Sequence, residues 1–482
     1  MHLLISVVLF VLMSQSSQAQ NRPRDRNAVP RAVVSGCNSA KRHTSGNVFS
    51  SVAKSTITIP ASRRARHSSR VVGVRRRFWT TENKSHVTKR SGGIPNCTFA
   101  IFSNDQDNNR RDVSSVTKIS AVSTVSLEIP YEHGGPKAGW GGQSWNKLSI
   151  LIVRVDTEDG LTGWGEAFSY NCRPAVKAAV ERMIAPVVVG MDSGDIAGIS
   201  RDMQQKLHLF GRYGITIFAL SGLDIALWDI AAKRANAPLH QLLGGAARQR
   251  VTGYASLLKY RDRDLVAENV TKARREGYEA IKIHETEVPE IAASRRAAGE
   301  GIPLMVDTNC PWTPEEARQR ALRFLEYDLH WLEEPIFPPE DFDALAELGY
   351  RTGIPIAAGE NACTSFEFKK MFDAGAVQFA QPSVTKVGGI TEMCKIAALA
   401  ETAAVALMPH SPYFGPGFLA TVQFAAAQPV EGFLERFYCT LEASLYSDLI
   451  DTIDGAFMVP DGPGLGREPD QDVIRDYGVE VD

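Results

Sequence analysis

At 482 residues the chain is long enough for two or three domains with sizeable cores, and its ordinary apolar and charged content excludes a collagen-like, disulfide-scaffold or wholly disordered protein. The formal net charge of −2 hides a split: residues 1–115 carry 19 Lys and Arg against 5 Asp and Glu, whereas residues 116–482 carry 34 against 50. An acidic body does not match a nucleic-acid backbone, so no nucleic-acid partner is expected for it.

The first element is Leu3–Met13, an apolar run of the length of a signal-peptide core, followed by the small residues Ser17-Gln18-Ala19. It is too short to span a bilayer, which takes about 20 residues, and no Lys or Arg precedes it; no membrane span is expected. From Asn21 to Ser115 no period of 2 or 3.6 is sustained, and Arg63-Arg64-Ala65-Arg66 and Arg75-Arg76-Arg77 read as solvated charge. Residues 1–115 are therefore expected to be a signal-like segment with a basic arm, a low-order leader, or an imperfectly assigned start. The seven cysteines (Cys37, Cys97, Cys172, Cys310, Cys363, Cys394, Cys439) are odd in number and widely spaced, without Cys-x-x-Cys. That pattern predicts free thiols and a cytoplasmic body. Asn83, Asn96 and Asn269 open Asn-x-Ser/Thr triplets.

The body starts near Val116. Strands are predicted at Lys118–Ile129 and Leu148–Val155, with the Gly-rich loop Gly134–Gly142 between them, and Thr157–Gly160 turns the chain into a hairpin partner, Leu161–Phe168. Helical pattern follows at Ala175–Val189, Ile196–Phe210 and Ile215–Arg234, closing at Gly244-Gly245. Strands followed by helices predict an α+β domain over 116–245, with Trp164 and Trp228 in its core. After Gly245 the pattern becomes βα units. Strands are predicted at Val251–Ser256, Ala280–His284, Leu304–Thr308, Leu329–Glu333, Ile354–Ala358, Ala376–Ala380, Val405–Met408 and Gly432–Glu435. Intervening helices include Pro314–Glu326, Phe342–Leu348, Ser365–Gly375 and Thr391–Thr402. Eight such strands predict a (β/α)₈ barrel over 246–445, and residues 446–482 are expected to fold back on the first domain.

Strand ends carry the chemistry. Lys282-Ile283-His284, Asp307, Glu333 and Glu360 each close a short apolar run, and the carboxylates are 26 and 27 residues apart. All strand C-termini of a barrel open on one face, so three carboxylates meeting there predict a hard-cation site of the Mg²⁺ type. Lys282 and His284, two apart on a strand, share a face and supply proton-transfer groups. Alternation turns only one of Glu333 and Glu334 toward the cation.

From Val116 onward the chain resembles the mandelate racemase branch of the enolase superfamily. The resemblance rests on Gly163-Trp164-Gly165-Glu166, Ser221 to Asp229 (SGLDIALWD), Leu242-Leu243-Gly244-Gly245, Val306-Asp307-Thr308-Asn309, Trp331-Leu332-Glu333-Glu334-Pro335, Ala358-Gly359-Glu360-Asn361 and Lys386-Val387-Gly388-Gly389, in this order. It implies an enolase-type barrel with an N-terminal capping domain, and one Mg²⁺ on Asp307, Glu333 and Glu360 that holds a substrate carboxylate. A proton α to a carboxylate is very weakly acidic, and the metal stabilises the enediolate left when a Lys or His base removes it.

In the same light Lys282 stands where many relatives have a Lys that depresses a second Lys, and that second position is His284. Either residue is a candidate base; Lys282 is also a candidate holder of the substrate carboxylate, and His284 a plain rim hydrogen-bonder. His410 stands at the His of a His–Asp dyad, but the Asp position is Ser383, so His410 is expected to serve as an acid or a hydrogen-bond donor. Asn309, Ser383, Glu435 and His133 are candidate substrate contacts, the last beside Trp140 in a loop that closes over the barrel in this family. The resemblance implies a homo-oligomer acting on a sugar acid, most simply by removing water. The alternatives are a racemase, epimerase or lactone cycloisomerase, and, from another class, a catalytically silent carboxylate-binding barrel.

Overall fold

The computed structural model describes residues 116–136, 138–140, 143–245 and 248–481. The apolar run Leu3–Met13, the arginine clusters, Cys37, Cys97 and the triplets at Asn83 and Asn96 lie outside the described residues.

The first domain is a four-stranded antiparallel sheet in the order Thr440–Leu441, Ile119–Glu132, Lys147–Thr157, Thr162–Ala167. Its central strand alternates, but both faces are apolar. Leu151, Val153 and Val155 pack on the domain's own helices, while Leu148, Ile150 and Ile152 join the core shared with the barrel. The sheet is thus buried on both sides. Helix Ile215–Arg234 lies across it and is mostly buried; it is apolar all round because it is a core helix. The predicted helix Ala175–Val189 is broken into Arg173–Ala178, a π turn at Ala179–Ile184 and Ala185–Val188. Pro186 has no N–H for a regular helical bond there.

Hairpin strand Thr162–Ala167 presses on helix Ile215–Arg234 so closely that a Cβ at Gly163 would overlap the Ala226 carbonyl, and one at Gly165 the Gly222 carbonyl. That explains the two glycines of Gly163-Trp164-Gly165-Glu166. Buried carboxylates then tie this domain to the barrel. Glu166 Oε2 accepts from Gly417 N at 2.9 Å and Asp224 Oδ1 from Thr391 N at 3.0 Å, each in the first turn of a barrel helix, Pro416–Ala427 and Gly389–Ala403. Unpaired N–H groups and the helix dipole favour an acidic side chain at such a place. Asp229 accepts from Trp164 N at 2.9 Å and Leu465 N at 2.8 Å, and its charge is met by Lys233 at 2.9 Å. The C-terminal segment is held there, and Val479 N donates to Ser126 O at 2.9 Å.

The barrel strands, in chain order, are Arg250–Leu257, Ile281–Ile283, Leu304–Asp307, Leu329–Glu333, Ile356–Ala358, Phe379–Ala380, Ala406–Leu407 and Leu434–Phe437. They pair in parallel from the seventh back to the first and on to the eighth. At the remaining seam Phe433 N lies 3.1 Å from Met408 Sδ, and Gly432 packs against the Leu407 carbonyl too tightly for a Cβ. The eighth strand lies two residues later than predicted, because Gly432-Phe433 is spent on this seam. The triplet at Asn269 falls inside helix Arg263–Arg275, with Asn269 buried and its amide bonded to Gly134 O and Leu265 O; it is no glycan acceptor. The five described cysteines are free.

One residue on or next to each strand helps fill the barrel: Tyr254, Ala280, Met305, Trp331, Ala357, Phe379, Met408 and Phe433. Two positions further along the chain, on these strands or just past their ends, stand Ser256, Lys282, Asp307, Glu333, Gly359, Gln381, His410 and Glu435. The period of two that packs the core therefore also points the polar set inward at the mouth.

The tight hairpin-on-helix contact yields a stability test. Gly165→Ala is expected to cost on the order of 3 kcal/mol or more, since two backbones must separate. Urea unfolding read by circular dichroism measures it, and a midpoint equal to that of the parent protein would refute the account of this contact.

Candidate active site

At the mouth the carboxylates of Asp307, Glu333 and Glu360 each present an oxygen within 4.8 Å of the others. Asp307 and Glu333 arrive by strand alternation. Glu360 does not: alternation would put Gly359 inward, and Gly359 adopts φ +141° with no room for a side chain against Gln381. This left-handed step, open to glycine, swings Glu360 into the ring. Glu334 turns away at φ +43° and takes hydrogen bonds from Asn361 Nδ2 at 2.8 Å and Cys310 Sγ at 3.3 Å. Asn361 also donates to Glu360 Oε1 at 3.3 Å, so Glu334 steadies the neighbouring carboxylate from outside.

Lys282 is fully buried at the centre, with Nζ 2.8 Å from Glu333, 3.0 Å from Glu435 and 3.2 Å from Asp307. Burial disfavours its charge, but the carboxylates of Glu333, Glu435 and Asp307 outweigh it and hold the pKa well above the usual lysine value. His284, two residues on, reaches the mouth. Its Nδ1 lies 2.6 Å from Leu257 O, which can only accept, so Nδ1 carries the proton and Nε2 points at Asp307 Oδ2, 3.2 Å away. Burial lowers the His284 pKa, and Asp307 more than offsets that, leaving it above its ordinary value.

Across the mouth, His410 Nε2 is 2.8 Å from Glu360 Oε2 and 3.8 Å from Glu435 Oε2. Burial pushes the Glu360 pKa up, but His410 and Lys386 prevail and hold it at about 2. His410 Nδ1 is 3.3 Å from Ser383 Oγ, which bonds closely to the hydroxyl of buried Tyr413. The Tyr413 ring also stands edge-on to the His410 ring at 6.1 Å. A pair of neutral hydroxyls therefore occupies the place of a dyad carboxylate. Glu435 Oε2 accepts from Ser411 N at 2.9 Å, and Asn309 donates twice to Asp307 Oδ1 at 3.0 Å.

Lys282, His284, Asp307, Glu333, Glu360, Ser383, His410 and Glu435 thus converge, with Asn309 behind Asp307. His133 does not join them. It is buried against Tyr260, with ring centroids 5.8 Å apart, beside a separate cavity of about 550 Å³ between helix Arg263–Arg275 and the exit of the eighth strand. Sequence reasoning missed Tyr413 and Lys386. The Lys386 amine lies 4.8 Å from the Phe168 ring centroid and 3.4 Å from Asn361 Oδ1, and its place beside Gly388-Gly389 was the one available signal.

Comparison with known proteins agrees with this geometry. Residues 141–244 match the model of the mandelate racemase/muconate lactonizing enzyme N-terminal domain, and residues 265–473 that of the enolase C-terminal domain-like family. The chain is 33% identical over 383 residues to D-galactarolactone cycloisomerase of Agrobacterium fabrum, covering 75% of this chain and 98% of that protein. It is 31% identical over 348 residues to arabinonate dehydratase of Saccharolobus solfataricus, covering 70% and 92%. The crystal structure of L-talarate dehydratase from Polaromonas sp. JS666, complexed with Mg and L-glucarate, superposes with a TM-score of 0.65 at 30% identity, covering 76% of this chain and 98% of that one.

If Lys282 is the counter-charge of this ring, Lys282→Met leaves buried carboxylates unmatched. Chemical unfolding in the presence of chelator is expected to show a loss of about 3–5 kcal/mol, part of which a divalent cation restores. Unchanged stability in chelator would mean that the ring is neutralised some other way.

Proposed function

The chain belongs to the enolase superfamily, in its mandelate racemase/muconate lactonizing enzyme branch, and from that membership we propose that it is a Mg²⁺-dependent enzyme that removes the proton α to the carboxylate of a sugar acid and expels water from the adjacent carbon. The observation that carries this reading is the pair of imidazoles facing each other across the three carboxylates, each with Nε2 directed into the ring, at Asp307 and at Glu360.

The donors fit the ion, being three carboxylate oxygens with hard character and a shared centre. Asp307, Glu333 and Glu360 would hold Mg²⁺, which when bound offsets the second negative charge of the enediolate. Lys282, with Nζ at Glu333, Glu435 and Asp307, serves as a positive charge for the substrate carboxylate. His284 takes the α-proton on Nε2, since Nδ1 is committed to Leu257 O. From the other face His410 gives the proton that turns the departing β-hydroxyl into water, and the resulting enol tautomerises to the 2-keto-3-deoxy acid. Ser383 and Tyr413 fix the His410 ring but add no charge, so an imidazolium there is not stabilised as a dyad carboxylate would stabilise it. That arrangement suits an acid and disfavours the two-base chemistry of a racemase. A second reading, lactone cycloisomerisation, is favoured by the similarity to the A. fabrum cycloisomerase along 98% of that protein; it needs the same abstraction with a ring oxygen as the leaving group.

Asp307→Asn and Glu333→Gln are each expected to weaken Mg²⁺ binding at least tenfold while the fold persists, measured by isothermal titration calorimetry; unaltered affinity in both removes the metal from this account. The second test uses a panel of sugar acids and D₂O. His410→Asn is expected to keep exchanging the substrate α-proton without forming product, and His284→Gln to lose both. Exchange that survives in His284→Gln and vanishes in His410→Asn puts the base on the opposite face.

A further inference from the structure

The cavity of about 550 Å³ beside His133 is lined by groups that the catalytic reading leaves unused. The eighth strand, Leu434–Phe437, places it outside the barrel. Side chains alternate along that strand, so Glu435 faces the mouth and Arg436 turns outward, toward helix Arg263–Arg275. The helix and its end present Asn269, Lys272 and Glu276 to the cavity, three and four residues apart on one face. Glu132 and His133 close it from the end of strand Ile119–Glu132, and residues 438–444 and 450–452 close it from the chain that follows the eighth strand. No member of the carboxylate ring lines it. Its volume is that of a small-molecule site.

Two side chains of the wall carry polar atoms without partners. His133 is 6% exposed and Arg436 5%, yet neither ring nitrogen of His133 nor Nε of Arg436 has a partner of normal hydrogen-bond geometry among the described residues. Buried polar atoms are costly to leave so. Burial lowers the His133 pKa, and the carbonyls of Pro136 and of His133 itself offset only part of that. The imidazole is therefore neutral, with one donor and one acceptor. The other nitrogens of Arg436 donate to Phe437 O, Cys439 O and, at 2.9 Å, Asp451 Oδ1.

Charge selects what this cavity can take. Glu132, Glu276, Glu442 and Asp451 face only Lys272 and Arg436. Arg436 is paired with Asp451, and Lys272 lies 4.0 Å from Glu276, so two carboxylates remain and an anion is repelled. Among the described residues, the carboxylates that converge closely enough for a metal ion are those of the ring. An organic ammonium offers no acceptor to Arg436 Nε–H. A hydroxyl both donates and accepts without carrying charge, and so answers imidazole, guanidinium and carboxylate alike.

The geometry points to this cavity as a second binding site, apart from the catalytic mouth, for a neutral polyhydroxylated molecule of the size of a simple sugar, held by His133 and Arg436. Isothermal titration calorimetry of the full-length chain in the presence of chelator tests it, with D-glucose, D-galactose and D-xylose as neutral probes and D-gluconate as the anionic one. At least one neutral sugar is expected to bind once per chain, and D-gluconate on the order of tenfold more weakly or not at all. His133→Phe keeps a ring against Tyr260 but removes both nitrogens, and is expected to raise the dissociation constant of that sugar about tenfold, the worth of one hydrogen bond. Lys272→Trp puts a bulky side chain at the cavity wall from a position 59% exposed, and is expected to abolish binding with the fold intact. The proposal is overturned if none of the three neutral sugars binds, if D-gluconate binds as tightly as they do, or if affinity is unchanged in either variant. If His133→Phe fails to fold by circular dichroism, Lys272→Trp alone decides. The test involves neither Mg²⁺ nor turnover, so it stands or fails apart from the catalytic reading.

Discussion

Four carboxylates, Asp307, Glu333, Glu360 and Glu435, are buried side by side at one end of the barrel, and their repulsion is the constraint that organises the rest of the site. In a medium of low dielectric such a cluster is held together only by opposite charge at hydrogen-bond distance. Lys282 meets three of the four, His284 and His410 each touch one end of the ring, and Lys386 acts on Glu360 from outside. The groups suited to proton transfer are thus the same groups that make the ring of acids tolerable. Three of these carboxylates, Asp307, Glu333 and Glu360, lie close enough together to offer a cation hard oxygen donors.

The ring stays in register because the first domain is bound to the barrel by buried acids at helix starts. Glu166 and Asp224 reach from the capping domain to the first turns of the helices that precede and follow the seventh strand, the strand that leads into His410. Each satisfies N–H groups that a helix cannot satisfy itself. The glycines on either side of Trp164 let the hairpin approach near enough for Glu166 to reach its helix. What reads in sequence as a short motif is, in space, a spacing constraint between a strand, a helix and the barrel.

The two faces of the mouth are unequal. His284 Nδ1 is oriented by the Leu257 carbonyl and His410 Nδ1 by Ser383 and Tyr413, while each Nε2 faces a carboxylate of the ring, Asp307 for the first and Glu360 for the second. A hydroxyl pair orients a ring as well as a carboxylate does, but contributes no charge to stabilise imidazolium. Elimination needs a base on one side and an acid on the other, and racemisation a base on both.

Much of this was legible from residues alone. Period-two apolar runs ending in Lys, Asp or Glu mark barrel strands, because the alternation that packs Met305 and Trp331 inward also aims Asp307 and Glu333 at the mouth. Helix Ile215–Arg234 was readable to the residue because nothing in it breaks a helix. Other features depend on contacts between distant segments. Glu360 enters the ring only through the left-handed turn at Gly359, and Tyr413 meets Ser383 across 30 residues of chain. His133, expected at the mouth, faces a different cavity, and the eighth strand begins later than its apolar run because Gly432-Phe433 closes the barrel. Local pattern determined which residues face inward and which chemistry they carry; only the tertiary structure decided which of them meet, because a turn of one φ angle or the closure of one seam redirects a side chain without changing any pattern in the sequence.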